Sequence, residues 1–139
     1  MKISARDEYA CSAVLELALT YEGEGPVRVQ DIAQRQGIPM KFLFQIMQIL
    51  KRVDIVRSRR GTEGGYSLSR SPGKITVGDV IRAVSGPFVQ LSCVESGNCH
   101  FKPIWADVDQ AIAGVLNNVT FEELAQRTRI SQQHLMYHI

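Results

Sequence analysis

Two cysteines in the C-terminal half are the side chains best suited to chemistry in this chain. Cys93 and Cys99 stand six positions apart in the segment LSCVESGNCHF, and His100 follows directly as a further donor. Soft thiolates select iron–sulphur clusters, zinc or copper(I), and a cluster usually takes four protein ligands. Loop thiols with a lowered pKa also form disulfides or are oxidised. The residues alone leave three interpretations open: an iron–sulphur sensor, a thiol switch, and structural or zinc-binding cysteines.

The same residues also suggest an enzyme, in which Cys99 would be the nucleophile and His100 or the distant His134 the base. Neighbouring side chains on an extended segment point to opposite faces, so Cys99 and His100 would not easily form a hydrogen bond. The sequence also shows no glycine-rich phosphate loop between a strand and a helix. We therefore disfavour an enzyme. The third cysteine, Cys11, lies on an apolar helical stripe and is expected in the core.

A second segment, residues 55–68 with the sequence IVRSRRGTEGGYSL, is suited to binding anions. Apolar residues alternate at both of its ends, which predicts two short strands joined by a loop. Gly61, Gly64 and Gly65 are expected to supply the positive φ angles that this loop requires. Its three arginines crowd one end of the hairpin, where like charges repel each other unless an anion is present. The alternative is a solvated surface hairpin.

The charges are distributed unevenly along the chain. The formal net charge of the 139 residues is +2 at pH 7, but residues 28–74 contain ten basic and three acidic side chains, a net +7, which leaves −5 for the rest. A basic block that keeps the residue pattern of a folded protein is typical of a module that binds a nucleic acid. A nucleic acid is therefore the expected partner of this block.

Helical periodicity places a helix-turn-helix directly before the basic hairpin. Apolar residues recur at helical spacing over roughly residues 5–22, with Ser4 as the predicted N-cap. A short second helix follows Pro26 and stops at Gly37, and Pro39 opens a third helix. This order is that of a helix-turn-helix, whose second member enters the major groove of DNA. With the hairpin added, the fold class is mainly α with a small β-hairpin, a winged helix-turn-helix.

The third helix is predicted to have one face for the core and one for DNA. Leu43, Ile46 and Leu50 are expected to be buried, which turns Lys41 and Gln45 outward. A lysine contacts phosphate or guanine, a glutamine pairs with adenine, and an exposed Phe or Met meets a thymine methyl group. For the Phe and the Met on this face, core packing is the alternative. The residues predicted to contact DNA are Arg28, Met40, Lys41, Phe44, Gln45, Gln48, Arg59, Arg60, Thr62 and Gly64.

Beyond Gly78 the basic character ends and a second unit begins. Apolar residues between Ile104 and Leu116 outline a long amphipathic helix, and from the residues alone this stripe is compatible with packing on its own domain. Thr120 and Glu123 form a capping-box pattern that predicts a last, short helix.

Together these motifs resemble the bacterial winged-helix regulator family that includes IscR, NsrR and CymR, and the IscR-like members most. The resemblance implies a homodimeric, sequence-specific DNA-binding transcription regulator whose long helix crosses its twin. It also implies that Arg60 of the wing reaches the minor groove while the start of the third helix reads the major groove. Glu63 departs from the family, in which glycine is common there, and its carboxylate should weaken the approach to phosphate. The motifs are MKISARDEYACSAVLELA, DIAQRQGIPMKFLFQIMQILKRVDIVRSRRGTEGGYSLSR, ITVGDVIRAVSGP, CHFKPIW and VLNNVTFEEL.

The resemblance divides the chain into four parts. These are a winged helix-turn-helix domain at 1–85, a cysteine-containing sensor loop at 86–101, a dimerisation helix with a short capping helix at 102–128, and a flexible tail at 129–139. The loop would sense iron–sulphur or redox state. The alternative is a cluster-free regulator that responds to a thiol switch or to a protein or small-molecule signal.

The cluster ligands of the family transfer only in part to this sequence. Cluster-binding relatives have three cysteines in this loop; Cys99 matches the third and Cys93 the first, and the middle one is missing. A histidine that completes the set in one relative corresponds here to Lys102, which cannot replace it. A carboxylate of the partner subunit in another relative corresponds to Glu8. The resemblance thus implies an incomplete set, with His100 as a replacement donor, and a 2Fe–2S rather than a 4Fe–4S cluster if one is bound; otherwise no cofactor is expected.

The compartment follows from hydropathy and cysteine content. No run approaches the roughly 20 apolar residues of a membrane span, and the N-terminal MKISARDEYA lacks the apolar stretch of a secretory signal. Three cysteines without an export signal argue against a disulfide framework. We therefore expect a cytoplasmic protein with double-stranded DNA and a second copy of itself as partners, and no membrane contact.

Overall fold

A computed structural model describes residues 2–23, 25–90 and 100–137, so Cys93 and Cys99 lie outside the described residues. It confirms the predicted fold class, with α-helices and one antiparallel hairpin. The elements follow in the order α1 (Ala5–Leu19), α2 (Val29–Gln36), α3 (Met40–Arg52), β1 (Val56–Arg59), β2 (Gly65–Leu68), a 3-10 turn (Pro72–Lys74), α4 (Val77–Ser85), α5 (Lys102–Leu116) and α6 (Phe121–Tyr137).

Helix α1 begins at the predicted cap. The Asp7 amide donates to Ser4 Oγ at 3.1 Å and the Ser4 amide donates to Asp7 Oδ2 at 2.9 Å, which together form a capping box. The helix ends at Leu19, three residues before the predicted end. Its last turn is closed by the Thr20 hydroxyl, which donates to the Glu16 carbonyl at 3.1 Å, a local bond that competes with continuation of the helix.

One apolar core joins α1 to the helix-turn-helix, to the base of the hairpin and to the start of α6. The predicted inward face of α3 is confirmed, because Leu43, Ile46 and Leu50 are fully buried. The core also takes in Ile75 after the 3-10 turn and Phe121 at the start of α6. The wing and α3 are therefore fixed to the same packed unit. Its other members include Ala10, Val14, Leu17, Ile32, Met47, Val56, Leu68 and Val80.

The wing is a two-stranded hairpin in which Val56 pairs with Leu68 and Arg59 with Gly65. The expectation of positive φ holds for Gly61, at 109°, and for Gly65, at 152°, but it is wrong for Gly64. Gly64 is required for a different reason, since a Cβ there would overlap the Arg59 carbonyl oxygen. The chain approaches itself closely at this point, and only glycine leaves the space.

The last helix was predicted to be short, and this is wrong. Helix α6 has 17 residues and includes residues 129–137 of the segment that was expected to be a tail. The sequence from Phe121 to Tyr137 contains no glycine or proline that would stop a helix. An ion pair one turn apart, Arg127 Nη2 to Glu123 Oε1 at 2.6 Å, supports it further, and Thr120 Oγ1 accepts the Glu123 amide as the predicted cap.

Packing of α5 on its own domain was the alternative to a helix that crosses its twin, and the described residues do not provide such packing. No α5 residue is buried by the part of the chain that the structure describes. Ile104, Trp105, Val108 and Val115 are exposed, Val115 to 64%. Only a few contacts hold α5 to the rest, among them the Val89 amide, which donates to Asp109 Oδ1 at 3.3 Å. The apolar stripe of this helix is left uncovered.

Candidate nucleic-acid interface

The outward face of α3 is polar and aromatic, as the periodicity predicts. Lys41, Phe44, Gln45 and Gln48 are exposed, Phe44 to 47%, while Met40 is half-buried against the core. A helix that carries hydrogen-bonding and aromatic side chains on a solvent-facing stripe presents groups that read base edges. Core packing was the alternative for Phe44 and Met40. Phe44 faces solvent, whereas Met40 packs partly against the core.

The first turn of α3 carries a fixed positive charge. Lys41 Nζ lies 5.0 Å from the centre of the Phe42 ring, within the range of a cation–π contact. The Phe42 ring in turn stacks on Tyr9 of α1, with 6.1 Å between ring centres. The ammonium group is thereby held at the N-terminal corner of α3, which is the part of a recognition helix that meets the bases.

The wing arginines carry charges that the described part of the protein does not neutralise. Arg57 and Arg59 share one face of β1, and Arg60 follows at the start of the tip. All three are exposed and form no ion pair with any residue that the structure describes. Like charges at this density repel each other unless a polyanion lies against them. The hairpin therefore has the charge of a phosphate-binding surface.

Arg28 and Thr62, two of the predicted DNA contacts, are brought together by the fold. Arg28 lies directly before α2, and its Nη2 donates to the Thr62 carbonyl at the tip of the wing at 2.5 Å. Gly64 is buried, and its amide donates to the Gly61 carbonyl at 3.0 Å, so that this amide is taken up within the tip. A groove of about 480 Å³ runs between the start of α2 and the wing.

Two buried carboxylates connect the helices that carry the interface. Helical periodicity in the sequence did not single them out. Glu16 of α1 accepts hydrogen bonds from Arg35 Nη1 and from Gln36 Nε2, both at 3.1 Å, and so ties α2 to α1. Its only sequence signal was an acidic residue beside the apolar stripe of α1. Asp7 caps α1 and also accepts the Ser85 hydroxyl at the end of α4. Both carboxylates hold the arrangement of helices rather than face DNA.

The surroundings lower the pKa of Asp7 and raise the pKa of Cys11. Burial disfavours the charged form of Asp7, but hydrogen bonds from Ser85 and Ser4 outweigh it and hold the pKa of this carboxyl below its ordinary value. Burial raises the pKa of the Cys11 thiol to about 11, with the charges of Asp7 and Glu8 adding to the rise. Cys11 is half-buried against the core, as expected, and its thiol stays protonated at neutral pH.

The candidate metal ligands are only partly within the described residues. Glu8 on α1 and His100 before α5 are both exposed. In residues 2–23, 25–90 and 100–137, no three side chains of His, Cys, Asp or Glu come together in a group that could hold a metal. These two donors therefore do not make up the four-ligand set of an iron–sulphur cluster without further ligands.

The proteins that are similar to this chain in sequence agree with this geometry. Residues 3–136 match the sequence profile of the Rrf2 family, which is described as an iron-dependent transcriptional regulator. The transcriptional regulator CymR of Bacillus subtilis (strain 168) is 34% identical over 139 residues, all of both chains. The transcriptional regulator IscR of Klebsiella pneumoniae subsp. pneumoniae is 36% identical over 136 residues, which cover 94% of this chain and 83% of that protein. The expected family is confirmed, with nearly equal similarity to both branches.

The fold is similar to that of a solved relative. The structure of CymR, the global cysteine regulator of B. subtilis, superimposes with a TM-score of 0.79 at 34% identity and covers 91% of this chain and 98% of that one. The family and these relatives are transcriptional regulators, which confirms that the enzyme interpretation was rightly disfavoured. Among the helices that the structure describes, none combines the length and the apolar content of a membrane span.

Proposed function

Because the chain belongs to the Rrf2 family of DNA-binding transcriptional regulators, we propose that it acts in the cytoplasm as a homodimer that binds duplex DNA through α3 and the wing. We propose further that the segment with Cys93 and Cys99 adjusts this binding to iron–sulphur or redox state. The observation that carries the DNA proposal is the set of wing arginines, Arg57, Arg59 and Arg60, whose charge no described residue pairs, beside the exposed face of α3.

In this proposal α3 enters the major groove. Lys41 in its first turn contacts a phosphate or the O6 and N7 acceptors of a guanine. Gln45, one turn later, pairs with an adenine, and the exposed ring of Phe44 packs on a thymine methyl group. Gln48 extends the same face by another turn, and Met40 flanks it at the start of the helix. The roles differ because amide groups read hydrogen-bonding edges, whereas rings read methyl groups.

The wing would contact the neighbouring minor groove. Arg60 at the start of the tip inserts its guanidinium there, because the negative potential of a narrow minor groove attracts arginine. Arg59 and the Thr62 hydroxyl contact the flanking phosphates. Glu63, exposed at the tip, repels phosphate and limits how closely the wing approaches.

The uncovered stripe of α5 supports a homodimer. Ile104, Trp105, Val108 and Val115 form an apolar face that the described part of the chain leaves exposed. An amphipathic helix is stable when this face is buried, and a twin helix offers the matching face about a two-fold axis. Two reading heads would then bind a two-fold symmetric site.

The proposed sensor lies between the head and α5. The segment that leads into it is held on one side by α4, where Arg82 lies over the Phe88 ring at 5.1 Å, and on the other by α5, where Val89 bonds to Asp109. A cluster or disulfide in the segment would therefore act on the placement of α5, and through it on the spacing of the two heads. Cys93 and Cys99 would hold a 2Fe–2S cluster with Glu8 of the second copy and His100, or would form a thiol pair.

The DNA proposal is tested by selection from a library of random duplexes with the unaltered protein. Recovered duplexes that share two half-sites related by two-fold symmetry would support a dimer with paired heads. Recovery of no common sequence, or of a single unpaired half-site, would contradict it.

The sensing proposal is tested by anaerobic purification with an absorbance spectrum and with iron, sulphide and zinc analysis. Binding to the selected duplex is then measured for the purified, the oxidised and the reduced protein, and for the variant with Cys93→Ala and Cys99→Ala. Binding that depends on the state of the native protein but not on that of the double variant supports sensing. Cys11→Ala is the matched control and should keep the response, because its thiol is protonated. Equal binding in every state would contradict sensing.

A further inference from the structure

Close to its tip, strand β2 of the wing is joined to the segment before α2 by main-chain bonds. The Val27 amide donates to the Tyr66 carbonyl at 2.8 Å, and the Tyr66 amide donates to the Val27 carbonyl at 2.7 Å. A Cβ at Gly65 would overlap the Val27 carbonyl oxygen, so this close pairing requires the glycine. Val27 acts as a one-residue third strand, which fastens the end of β2 nearest the tip to the segment before α2.

The tip of the wing extends beyond this anchored end of β2. Residues 60–64 lie past the last strand pair, Arg59 with Gly65, and Arg60, Thr62 and Glu63 are exposed. Within the tip, one main-chain bond, from the Gly64 amide to the Gly61 carbonyl, closes the turn. A two-stranded hairpin has little stability of its own, so a contact from outside decides how well its tip is ordered.

Arg28 makes that contact. Its guanidinium spans 34 positions of sequence to donate to the Thr62 carbonyl. The donor is charged, which strengthens the bond relative to a neutral pair. Arg28 itself is fixed at the start of α2, directly after the anchored Val27. The tip, through Arg28, and β2, through Val27, are thus both connected to the segment that leads into α2.

We propose that Arg28 is a positioning residue of the wing, which holds the tip so that Arg60 is presented to the minor groove in one orientation. Ordering a loop when DNA binds costs conformational entropy, and a tip that is already held avoids part of that cost. Arg28 then contributes to binding through Arg60 rather than through a phosphate of its own. The inference rests on the proposed role of the wing in DNA binding.

A double-mutant cycle distinguishes these two roles. Affinity is measured by fluorescence anisotropy for the full-length protein on one duplex recovered with the unaltered protein, at one salt concentration. The four proteins are the native one, Arg28→Met, Arg60→Ala and the double variant. Methionine keeps an unbranched apolar stem and removes the guanidinium. We expect Arg28→Met to weaken binding by roughly tenfold, the scale of one charge-assisted hydrogen bond, and by less than about twofold when Arg60 is already alanine.

A matched cycle uses Lys41→Ala in place of Arg28→Met. Lys41 would contact DNA from α3, where its ammonium group lies over the Phe42 ring of the same helix, so its effect should multiply with that of Arg60→Ala. If the fold-losses of affinity of Arg28→Met and Arg60→Ala multiply in the double variant, Arg28 contacts DNA independently. That result would overturn the inference. Unchanged affinity of Arg28→Met would overturn it as well.

Hydrogen exchange of the free protein provides a readout that does not depend on DNA. The amide of Gly64 should exchange faster in Arg28→Met, while amides of α3 should be unaffected. Equal exchange at Gly64 in both proteins contradicts the positioning role. If Arg60→Ala itself leaves DNA binding unchanged, the proposed function of the wing fails. If Arg60→Ala weakens binding and Arg28→Met does not, only the present inference fails.

Discussion

The winged-helix head and α5 differ in how far the chain covers their apolar side chains. In the head, defined here as α1 to α4, the wing and the start of α6, the side chains of Leu43, Ile46, Leu50 and Phe121 have almost no exposed surface. On α5, Trp105 and Val108 are each 39% exposed, and Ile104 and Val115 are more exposed, at 52% and 64%. The head therefore completes its own core, whereas α5 does not.

The difference agrees with the proposal that α5 packs on a second chain. Full burial of one large aliphatic or aromatic side chain stabilises a protein by roughly 1.5–3 kcal/mol, so four uncovered side chains are a considerable driving force for association. The charges follow the same division, because the wing arginines belong to the self-contained head and would face DNA there. In the proposed function the head binds DNA, while α5 pairs with its twin and responds to the sensor loop.

The largest expected effect comes from opening the closed core of the head. Phe121→Ala should lower the free energy of unfolding by about 3–5 kcal/mol, because the fully buried ring leaves a cavity. Urea unfolding measures it. Phe44→Ala is the matched control and should cost about 1 kcal/mol or less, since this ring faces solvent. Similar losses for the two phenylalanines would contradict the division between core and DNA face.

A charge in the uncovered stripe should separate the two copies. Val108→Glu should convert the protein to a monomer in sedimentation equilibrium and weaken binding to a two-fold duplex by about 100-fold, because only one head can then bind. Gln110→Glu, on the opposite side of α5, should remain a dimer. The folded head should be unaffected, since Val108 is exposed in the single chain. A Val108→Glu dimer that binds DNA normally would show that α5 is not the interface.

Acid should weaken the junction of α1 with α4. The pKa of Asp7 is below its ordinary value of 3.8 in the folded chain, so ionised Asp7 stabilises the fold at pH values above 3.8, and this contribution is lost as the pH falls through the lower, folded pKa. Asp7→Asn should cost about 1 kcal/mol at neutral pH, as the loss of a helix cap does. The difference from the native protein should shrink as the pH falls below 3.8 and through the lower, folded pKa. A constant difference in unfolding free energy across this range would argue against an ionised Asp7.

The smallest expected effect concerns Glu63. Glu63→Gln should strengthen binding of duplex DNA by about threefold, because it removes a negative charge from the wing tip and keeps the side-chain size. Anisotropy titrations at low and high salt measure it, and the gain should be smaller at high salt. Weaker binding of this variant would mean that the carboxylate makes a favourable contact with a base or with the protein.

Local signals in the sequence predicted the elements of the head. The spacing of Leu43, Ile46 and Leu50 gave the inner face of α3, and Ser4 gave the start of α1, because periodicity and capping depend on residues a few positions apart. The length of α6 was underestimated because a polar segment with weak apolar periodicity reads as a tail, although nothing in it stops a helix.

Contacts between distant residues were beyond such signals. The bond from Arg28 to Thr62 and the burial of Glu16 against Arg35 depend on how the elements pack, and spacing along the chain does not encode either one. Gly64 was expected to supply a positive φ, but glycine is needed there because a Cβ would overlap the Arg59 carbonyl oxygen. Such a close approach of backbone can be recognised only once the tip is folded. The roles of Cys93 and Cys99 stay predictions, as these residues lie outside the described ranges.

The most direct test of DNA binding by the wing is the affinity of native protein and Arg60→Ala for one selected duplex over a series of salt concentrations. We predict that Arg60→Ala weakens binding by at least about tenfold and makes the slope of log affinity against log salt shallower by about one, the loss of one cationic contact. Arg127→Ala, outside the basic block and paired with Glu123, should change neither quantity. Equal affinity and equal slope for native protein and Arg60→Ala would contradict the proposed DNA-binding surface.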